Sequence, residues 1–177
     1  MKFLAKLLGR SWNQKLLALC RTPGATTEAI ETLLDAGADI NVRNEYDNTP
    51  LMKAAWHNPR PEIIEILLKA GVDVNARNEG GHTSLMWAAW HNPNPEIIEI
   101  LLKTGADVNA RTEGASTSLM WAAWHNPNPE IIEILLKAGA NVKARDVKGK
   151  TAIDYAKKNK KIYKTKVYWK LNDALYE

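Results

Sequence analysis

Apolar and polar positions along the chain repeat with a period of 34 residues. The segment from Thr83 to Lys103 recurs unchanged from Thr117 to Lys137, and a close copy runs from Thr49 to Lys69. Self-similarity at this spacing is typical of one small supersecondary unit stacked on copies of itself, each burying the apolar face of its neighbour. The pattern therefore predicts an extended solenoid, whose function must be sought on its surface.

Each unit contains two predicted helices with a proline-rich break between them. Residues 85–90 combine good helix formers with two small alanines, which allow another helix to approach closely. An Asn-Pro-Asn-Pro break stops this helix, and a second one is predicted to start at Pro95, where the missing N–H costs nothing. Residues 97–102 give the second helix a wide apolar face, and Gly105 is expected to cap it. Residues 106–114 are predicted to form an extended arm and a tight turn.

Threonines and glycines spaced 34 residues apart fix the boundaries of the units. Because a terminal unit turns one face to water, units that depart from the consensus are expected at both ends. The prediction is a single domain, 1–177, with a helix at 1–14, an N-terminal capping repeat at 15–48, full repeats at 49–82, 83–116 and 117–150, and a C-terminal capping repeat at 151–177.

The residues that carry the pattern resemble the ankyrin repeat. Thr49-Pro50-Leu51 followed by Ala54-Ala55, the Ile-Ile-x-x-Leu-Leu second helix, and Gly-Ala-Asp-Val-Asn-Ala at 105–110 all look like that family, over roughly residues 15–160. The resemblance implies an all-α solenoid of stacked helix-turn-helix units with short extended turns, about five repeats including caps. It also implies a role in protein–protein interaction. The Asn-Pro-x-Pro-Glu loops resemble those of small bacterial or phage members.

Three departures from the family pattern change the expected packing. The period of 34 is one residue longer than usual, Asn-Pro-x-Pro stands where the family has Gly-His, and methionine replaces a usual histidine at positions 52, 86 and 120. Losing those imidazoles removes hydrogen bonds that normally join neighbouring turns. Packing is therefore expected to supply more of the cohesion.

Charge is distributed unevenly along the 177 residues, although the net charge is only +4. Residues 1–15 carry four basic and no acidic groups, residues 16–147 carry 11 basic and 17 acidic groups, and residues 148–177 carry nine and three. The C-terminal lysines are interpreted as the solvated face of a cap, with docking to nucleic acid or an anionic surface as the alternative. A single cysteine, Cys20, is predicted to be a core thiol and fits a cytoplasmic location.

The N-terminal segment forms an amphipathic stripe with two interpretations. Phe3, Leu4, Leu7, Leu8 and Trp12 share one helical face, and the basic residues lie elsewhere. This face either covers the exposed end of the first repeat or lies on a membrane surface. No apolar run approaches the ~20 residues that span a bilayer.

Residues repeated every 34 positions form the candidate binding site. In ankyrin proteins, the positions of the tryptophan and histidine columns lie at the exposed end of the first helix, on the concave side used for partners. An arginine column precedes the turns, whose first tip carries a tyrosine. The hypothesis is that these columns grip a protein partner: Tyr46, Trp56, His57, Arg77, Trp90, His91, Arg111, Trp124, His125 and Arg145. The alternative is that the tryptophans fill the gap left by the longer proline loop, while Trp87 and Trp121 are expected in the core.

Catalytic and metal chemistry is not predicted. One histidine per unit places the backbones ~8–10 Å apart, whereas zinc needs nitrogens ~2.0–2.1 Å from the metal. The paired glutamates of the second helices are expected to pair with Lys69, Lys103 and Lys137 at i+4. The sequence thus predicts a monomeric, non-enzymatic binding protein without metal or cofactor. The resemblance to small bacterial or phage ankyrin proteins implies a role as an inhibitor, immunity protein or adaptor. Docking of its basic ends to a membrane surface or nucleic acid is the alternative.

Overall fold

The computed structural model describes residues 2–176, with side chains from residue 11 to residue 176. Within this range the chain forms ten α-helices and no β-strand. The helices are α1 (Lys2–Cys20), α2 (Thr27–Asp35), α3 (Pro50–His57), α4 (Pro61–Lys69), α5 (Ser84–His91), α6 (Pro95–Lys103), α7 (Ser118–His125), α8 (Glu130–Lys137), α9 (Ala152–Ala156) and α10 (Lys166–Tyr176).

The helices stack in two layers. In the first layer, α1, α3, α5, α7 and α9 each pack on the next, and in the second layer α2, α4, α6, α8 and α10 do the same. Each first-layer helix also packs on the second-layer helix that follows it in the chain. This is the predicted all-α solenoid of helix-turn-helix units, with one helix pair per unit.

Capping side chains set the helix boundaries. The threonine before each of α3, α5 and α7 accepts a hydrogen bond from the backbone N–H three residues further on. Before α6, the Asn94 side chain accepts from the second residue of the helix, and Pro95 occupies the first helical position. Gly105 follows α6 with a φ of +94°, which ends the helix. The predicted start at Pro95 and cap at Gly105 are confirmed.

The core lies between the layers and is built from aliphatic side chains at fixed positions of the unit. The alanine pair of each full unit has no exposed surface, so the first-layer helices approach one another closely. Cys20 is buried at the position that Ala54 occupies one unit later, which confirms the predicted core thiol. The aliphatic residues buried without exposed surface include Leu51, Ile63, Ile64, Leu67, Leu85, Ile97, Ile98, Leu101, Leu119, Ile131, Ile132 and Leu135.

Buried asparagines at the ends of the first-layer helices join neighbouring units. The Asn92 amide donates to the carbonyl oxygens of Ala55 (3.0 Å) and Asn58 (2.9 Å), and Asn126 repeats this pattern one unit further on. The Ala55 carbonyl has no helical donor, because Pro59 stands four residues later and lacks an N–H. The expectation that packing replaces the missing imidazoles needs this correction, since asparagines restore hydrogen bonds between units.

The N-terminal helix crosses the predicted boundary between residues 14 and 15. α1 runs continuously from Lys2 to Cys20 and packs on both α2 and α3. Trp12 is half-buried against the core, and the Asn13 side chain accepts a hydrogen bond from the Asp39 N–H at 2.7 Å. The lid and membrane interpretations also involve side chains outside the described residues: Phe3, Leu4, Leu7 and Leu8.

The glutamate–lysine pairs predicted within the second-layer helices do not form among the described side chains. Glu133 instead lies 3.2 Å from the Nζ of Lys170 on α10. An exposed ion pair contributes little in water, so side-chain entropy readily outweighs the i+4 attraction. The predicted pairing with Lys69, Lys103 and Lys137 is therefore wrong.

Candidate partner-binding surface

The tryptophans that end the first-layer helices form a row along the stack. Trp56, Trp90 and Trp124 are the second-last residues of α3, α5 and α7. Because these helices pack side by side, the ring centroids lie 5.6 Å apart for Trp56 and Trp90, and 6.5 Å apart for Trp90 and Trp124. Unit periodicity in the sequence thus becomes a continuous column of indoles.

Trp87 and Trp121 belong to the same row, so their predicted place in the core is wrong. Both are half-buried, and the Trp87 ring stacks on Trp56 with centroids 4.3 Å apart and planes at 12°. Trp121 lies 5.1 Å from Trp90 and 5.5 Å from Trp124. Each is three residues before the column tryptophan of its own helix and therefore shares its face. That spacing could have revealed them in the sequence.

The row ends on Tyr155, which the sequence analysis did not select. Its ring centroid lies 5.9 Å from that of Trp124, and its hydroxyl donates a hydrogen bond to Asp146. Burial, together with this hydrogen bond, raises the pKa of Tyr155 to about 12. We call the complete row the aromatic ladder: Trp56, Trp87, Trp90, Trp121, Trp124 and Tyr155.

The ladder remains accessible to solvent. Trp124 is 44% exposed, and the other four tryptophans are half-buried. Stacking of neighbouring rings contributes about 0.5–1.5 kcal/mol per pair beyond the area that it buries. The rings therefore support one another and keep part of their surface in contact with solvent, although the Nε1 atoms of Trp87 and Trp121 are buried.

A column of histidines runs beside the ladder. His57 stacks on Trp56 at 4.5 Å, and the rings of His91 and His125 lie 6.0 Å apart at an angle of 15°. His57 is half-buried, whereas His91 and His125 are exposed. We call these three residues the histidine column. Burial lowers the pKa of His57, and the nearby Arg21, Lys53 and His91 act in the same direction.

The histidine column forms one wall of a groove of about 490 Å³. The prolines of the inter-helix loops and of the turn before α2 form the other side, and Trp56 contributes to the lining. The repeat period therefore builds an elongated depression rather than a single pocket. The lining prolines are Pro23, Pro59, Pro93 and Pro127.

The two ends of the ladder differ in charge. Lys53 lies over the Trp56 ring at 5.8 Å, with Arg21 and Glu45 as its charged neighbours. At the other end, Lys150 lies over Tyr155 at 5.7 Å, close to the carboxylate of Asp146. Asp154 also acts on Tyr155 and is paired with Lys157 at 3.2 Å. Two basic groups and one acidic group therefore make the first end positive, whereas two lysines and two aspartates balance at the second.

The predicted arginine column lies in the segments between units, apart from the aromatic rings. Three guanidiniums join neighbouring units, since Arg43 donates to the Arg77 carbonyl at 2.9 Å, Arg77 donates to that of Arg111, and Arg111 to that of Arg145. Arg145 instead donates to the Gly149 carbonyl of its own unit at 2.8 Å. All four arginines are exposed, and Tyr46 is 61% exposed at the first tip. The arginines therefore stabilise the segments between units, and both they and Tyr46 are accessible to a partner. Their role in binding stays a prediction.

His82 was also overlooked. It is half-buried and stacks on Trp87 with ring centroids 4.9 Å apart, while its Nδ1 has no hydrogen-bond partner. Burial lowers the pKa of its imidazole. Unlike His57, His91 and His125, it has no histidine 34 residues away, so the repeat period in the sequence does not reveal it.

The described part of the chain has neither a metal-binding cluster nor a membrane-spanning helix. Between residues 2 and 176, no group of three or more His, Cys, Asp or Glu side chains is placed to hold a metal ion. None of the described helices combines the length and apolar character needed to cross a bilayer.

Comparison with known families agrees with the repeat geometry. A profile for ankyrin repeats in three copies matches residues 16–112, and a second profile for ankyrin repeats in many copies matches residues 101–156. The chain therefore belongs to the ankyrin-repeat family. Repeats of this family are generally protein–protein interaction modules. A comparison with curated proteins returns no match.

Proposed function

We propose that this protein is a non-catalytic module that binds a partner protein through the aromatic ladder and the histidine column. The observation that carries the proposal is the exposure of stacked indoles on three consecutive units, up to 44% for Trp124. The turn tips would extend the contact through residues predicted from the sequence: Tyr46, Arg77, Arg111 and Arg145.

The physical basis is the low entropic cost of using rings that are already ordered. Tryptophan is enriched at binding hot spots because it buries a large area with few rotatable bonds. Here each ring is held by its neighbours before any partner arrives, so little rotamer freedom is lost on binding. A ladder of this kind is pre-organised for a partner surface of matching shape.

Affinity capture of partner proteins from the native cell tests the proposal. It compares substitutions of two similarly exposed tryptophans, one inside and one outside the ladder. Immobilised wild-type chain and the Trp169→Ala variant should retain the same co-purifying protein, because Trp169 is 51% exposed on α10, outside the ladder. Trp124→Ala should lose that protein while keeping its helical circular dichroism. Retention of the partner by Trp124→Ala would contradict the proposal. Collapse of its stability would support the gap-filler interpretation of the column.

A second candidate function uses the basic C-terminal segment. Tyr163 and Trp169 are 44% and 51% exposed among lysines, and a groove of about 770 Å³ is lined by Lys166, Trp169 and Lys170. Aromatic rings beside lysines suit an anionic surface, either a membrane or nucleic acid. Steep weakening of binding with salt, with loss in Trp169→Ala, would favour this candidate.

The remaining features of the proposal follow from the sequence. We propose that residues 1–177 act as one domain with capping units at both ends, as a cytoplasmic monomer. The role of an inhibitor, immunity protein or adaptor fits a module that binds a partner protein without catalysis. Sedimentation of the purified chain tests the monomeric state, since a dimer would double the mass from 19.8 kDa.

A further inference from the structure

The tryptophan column Trp56, Trp90 and Trp124 has steps close to the side-chain interval of an extended segment. These steps are 5.6 Å and 6.5 Å, and the exposed histidines are 6.0 Å apart. In a strand, side chains on one face repeat every ~6.4–6.8 Å, because each residue rises about 3.2–3.4 Å. Side chains i, i+2 and i+4 of an extended segment would therefore meet Trp56, Trp90 and Trp124 in turn.

The histidine column distinguishes a strand from a helix. Residues four apart in a helix rise by about 6 Å, so spacing alone fits both. A helix bonds its own backbone groups, whereas a strand leaves N–H and C=O groups that need partners. His91 and His125 are exposed, and hydrogen bonds among the described residues do not use their ring nitrogens. A neutral imidazole offers one donor and one acceptor, so each unit can satisfy part of a strand's backbone.

Charge indicates what lies at one end of the segment. Lys53 lies over Trp56, and Arg21 acts on both Lys53 and His57, with Glu45 as the acidic neighbour of Lys53. At the other end Lys150 faces Asp146, and Asp154 pairs with Lys157. An acidic side chain or a terminal carboxylate is complementary to the first end and gains nothing at the second.

We infer that the partner is bound as an extended segment, with alternate apolar side chains on the ladder, its backbone along the histidine column, and an acidic group beside Arg21 and Lys53. This inference rests on the proposed function and specifies the chemistry that its site recognises. Main-chain hydrogen bonds give such a segment affinity, and alternate side chains give it specificity.

Selection from a displayed library of random 12-residue peptides, with the full-length chain as bait, tests the mode of binding. Clones that also bind a Trp90→Ala/Trp124→Ala chain are removed. Enriched peptides should carry apolar residues at alternate positions and an acidic residue at one end. Apolar residues spaced three and four apart would overturn the inference in favour of a helix. Failure to enrich any ladder-dependent peptide would overturn it too.

Backbone contact is tested on one enriched peptide, synthesised with a fluorescent label. Methylating the backbone nitrogens of alternate peptide residues blocks the N–H groups of one strand edge at a time. Methylation of the edge that faces the histidines should weaken binding about three- to tenfold, and methylation of the other edge should have no effect. His91→Phe keeps an aromatic ring and removes the nitrogens, so it should weaken the same peptide to a similar degree. Equal tolerance of methylation on both edges would contradict backbone recognition.

The charged end is tested by a double-mutant cycle. Arg21→Gln with Lys53→Gln should weaken the acidic peptide about tenfold and leave its Asp→Asn or Glu→Gln version unaffected. Lys150→Gln, at the opposite end of the ladder, is the matched control and should change neither peptide. An equal loss of affinity for the acidic peptide and its amide version would show that the acidic group does not bind at this end.

Failure of this inference differs from failure of the proposed function. If the native partner still requires Trp124 but no extended peptide is enriched, only the binding mode is wrong. If capture of the native partner is independent of Trp124, the ladder is not the binding surface.

Discussion

Replacing Asn92 with alanine should destabilise the protein strongly, although Asn92 is a polar residue outside the aliphatic core cluster. Asn92 is 1% exposed, and its amide donates to the carbonyl oxygens of Ala55 and Asn58 in the preceding unit. Its Oδ1 also accepts the Asn94 N–H at 3.1 Å. The substitution therefore removes two hydrogen bonds between units and one within the loop.

The magnitude follows from these three bonds. Each contributes about 1 kcal/mol net, and a buried group left without a partner costs about 1–3 kcal/mol. The Ala55 carbonyl cannot recover a helical donor because residue 59 is proline. We expect Asn92→Ala to lower the free energy of unfolding by about 3 kcal/mol, which corresponds to a fall of roughly 6–12 °C in Tm for a chain of this size.

The assay is urea unfolding, followed by circular dichroism and by tryptophan fluorescence. Asn94→Ala serves as the matched control, because its bonds to Glu96 and Pro59 are exposed and water can replace them. It should cost about 1 kcal/mol, the usual value for a lost N-cap. Asn92→Asp keeps the acceptor and loses the donors, so it should resemble Asn92→Ala. The reasoning is refuted if Asn92→Ala is no more destabilising than Asn94→Ala.

Three further predictions concern backbone strain, pH and thiol reactivity. Ala115 has a φ of +60° where the equivalent Gly81 has +73°, so Ala115→Gly should raise the free energy of unfolding by about 0.5–1 kcal/mol and Gly81→Ala should lower it, as measured by urea unfolding; a loss of stability in Ala115→Gly would contradict this. Because the folded-state pKa values of His57 and His82 lie below the ordinary 6.5, the unfolded chain binds protons first. Tm should therefore fall as pH drops below 6.5, and His82→Gln should reduce the slope; an unchanged slope would contradict the role of His82. Burial raises the pKa of the Cys20 thiol to about 12, so it should react with a disulfide reagent at pH 8 only on unfolding; prompt reaction of the native protein would contradict burial.

The helices and their caps could be predicted because their signals are local. Pro95 and Gly105 act within a single unit, and the 34-residue period shows that the same units stack. The role of Asn92 could not be found in this way. Its local signal is a helix stop, and the carbonyls that it satisfies belong to the preceding unit.

In the candidate site, too, the contacts between units could not be predicted from the sequence. The 34-residue period identified the tryptophan and histidine columns, since each member repeats at one position. The sequence predicts Trp87 and Trp121 in the core, yet their rings contact those of Trp56 and Trp90, at 4.3 Å and 5.1 Å, across the interface between units. Contacts between units depend on how the layers are rotated, which a sequence period does not specify.

Oxidative footprinting of the purified complex tests most directly whether the aromatic ladder is the binding surface. Hydroxyl radicals modify accessible rings, and the chain carries internal controls in Trp169 and Tyr176, which are 51% and 80% exposed outside the ladder. The partner should slow oxidation of Trp124 and Trp90 several-fold and leave Trp169 and Tyr176 unchanged. Protection of Trp169 and Tyr176, with Trp124 as reactive as in the free protein, would contradict the account.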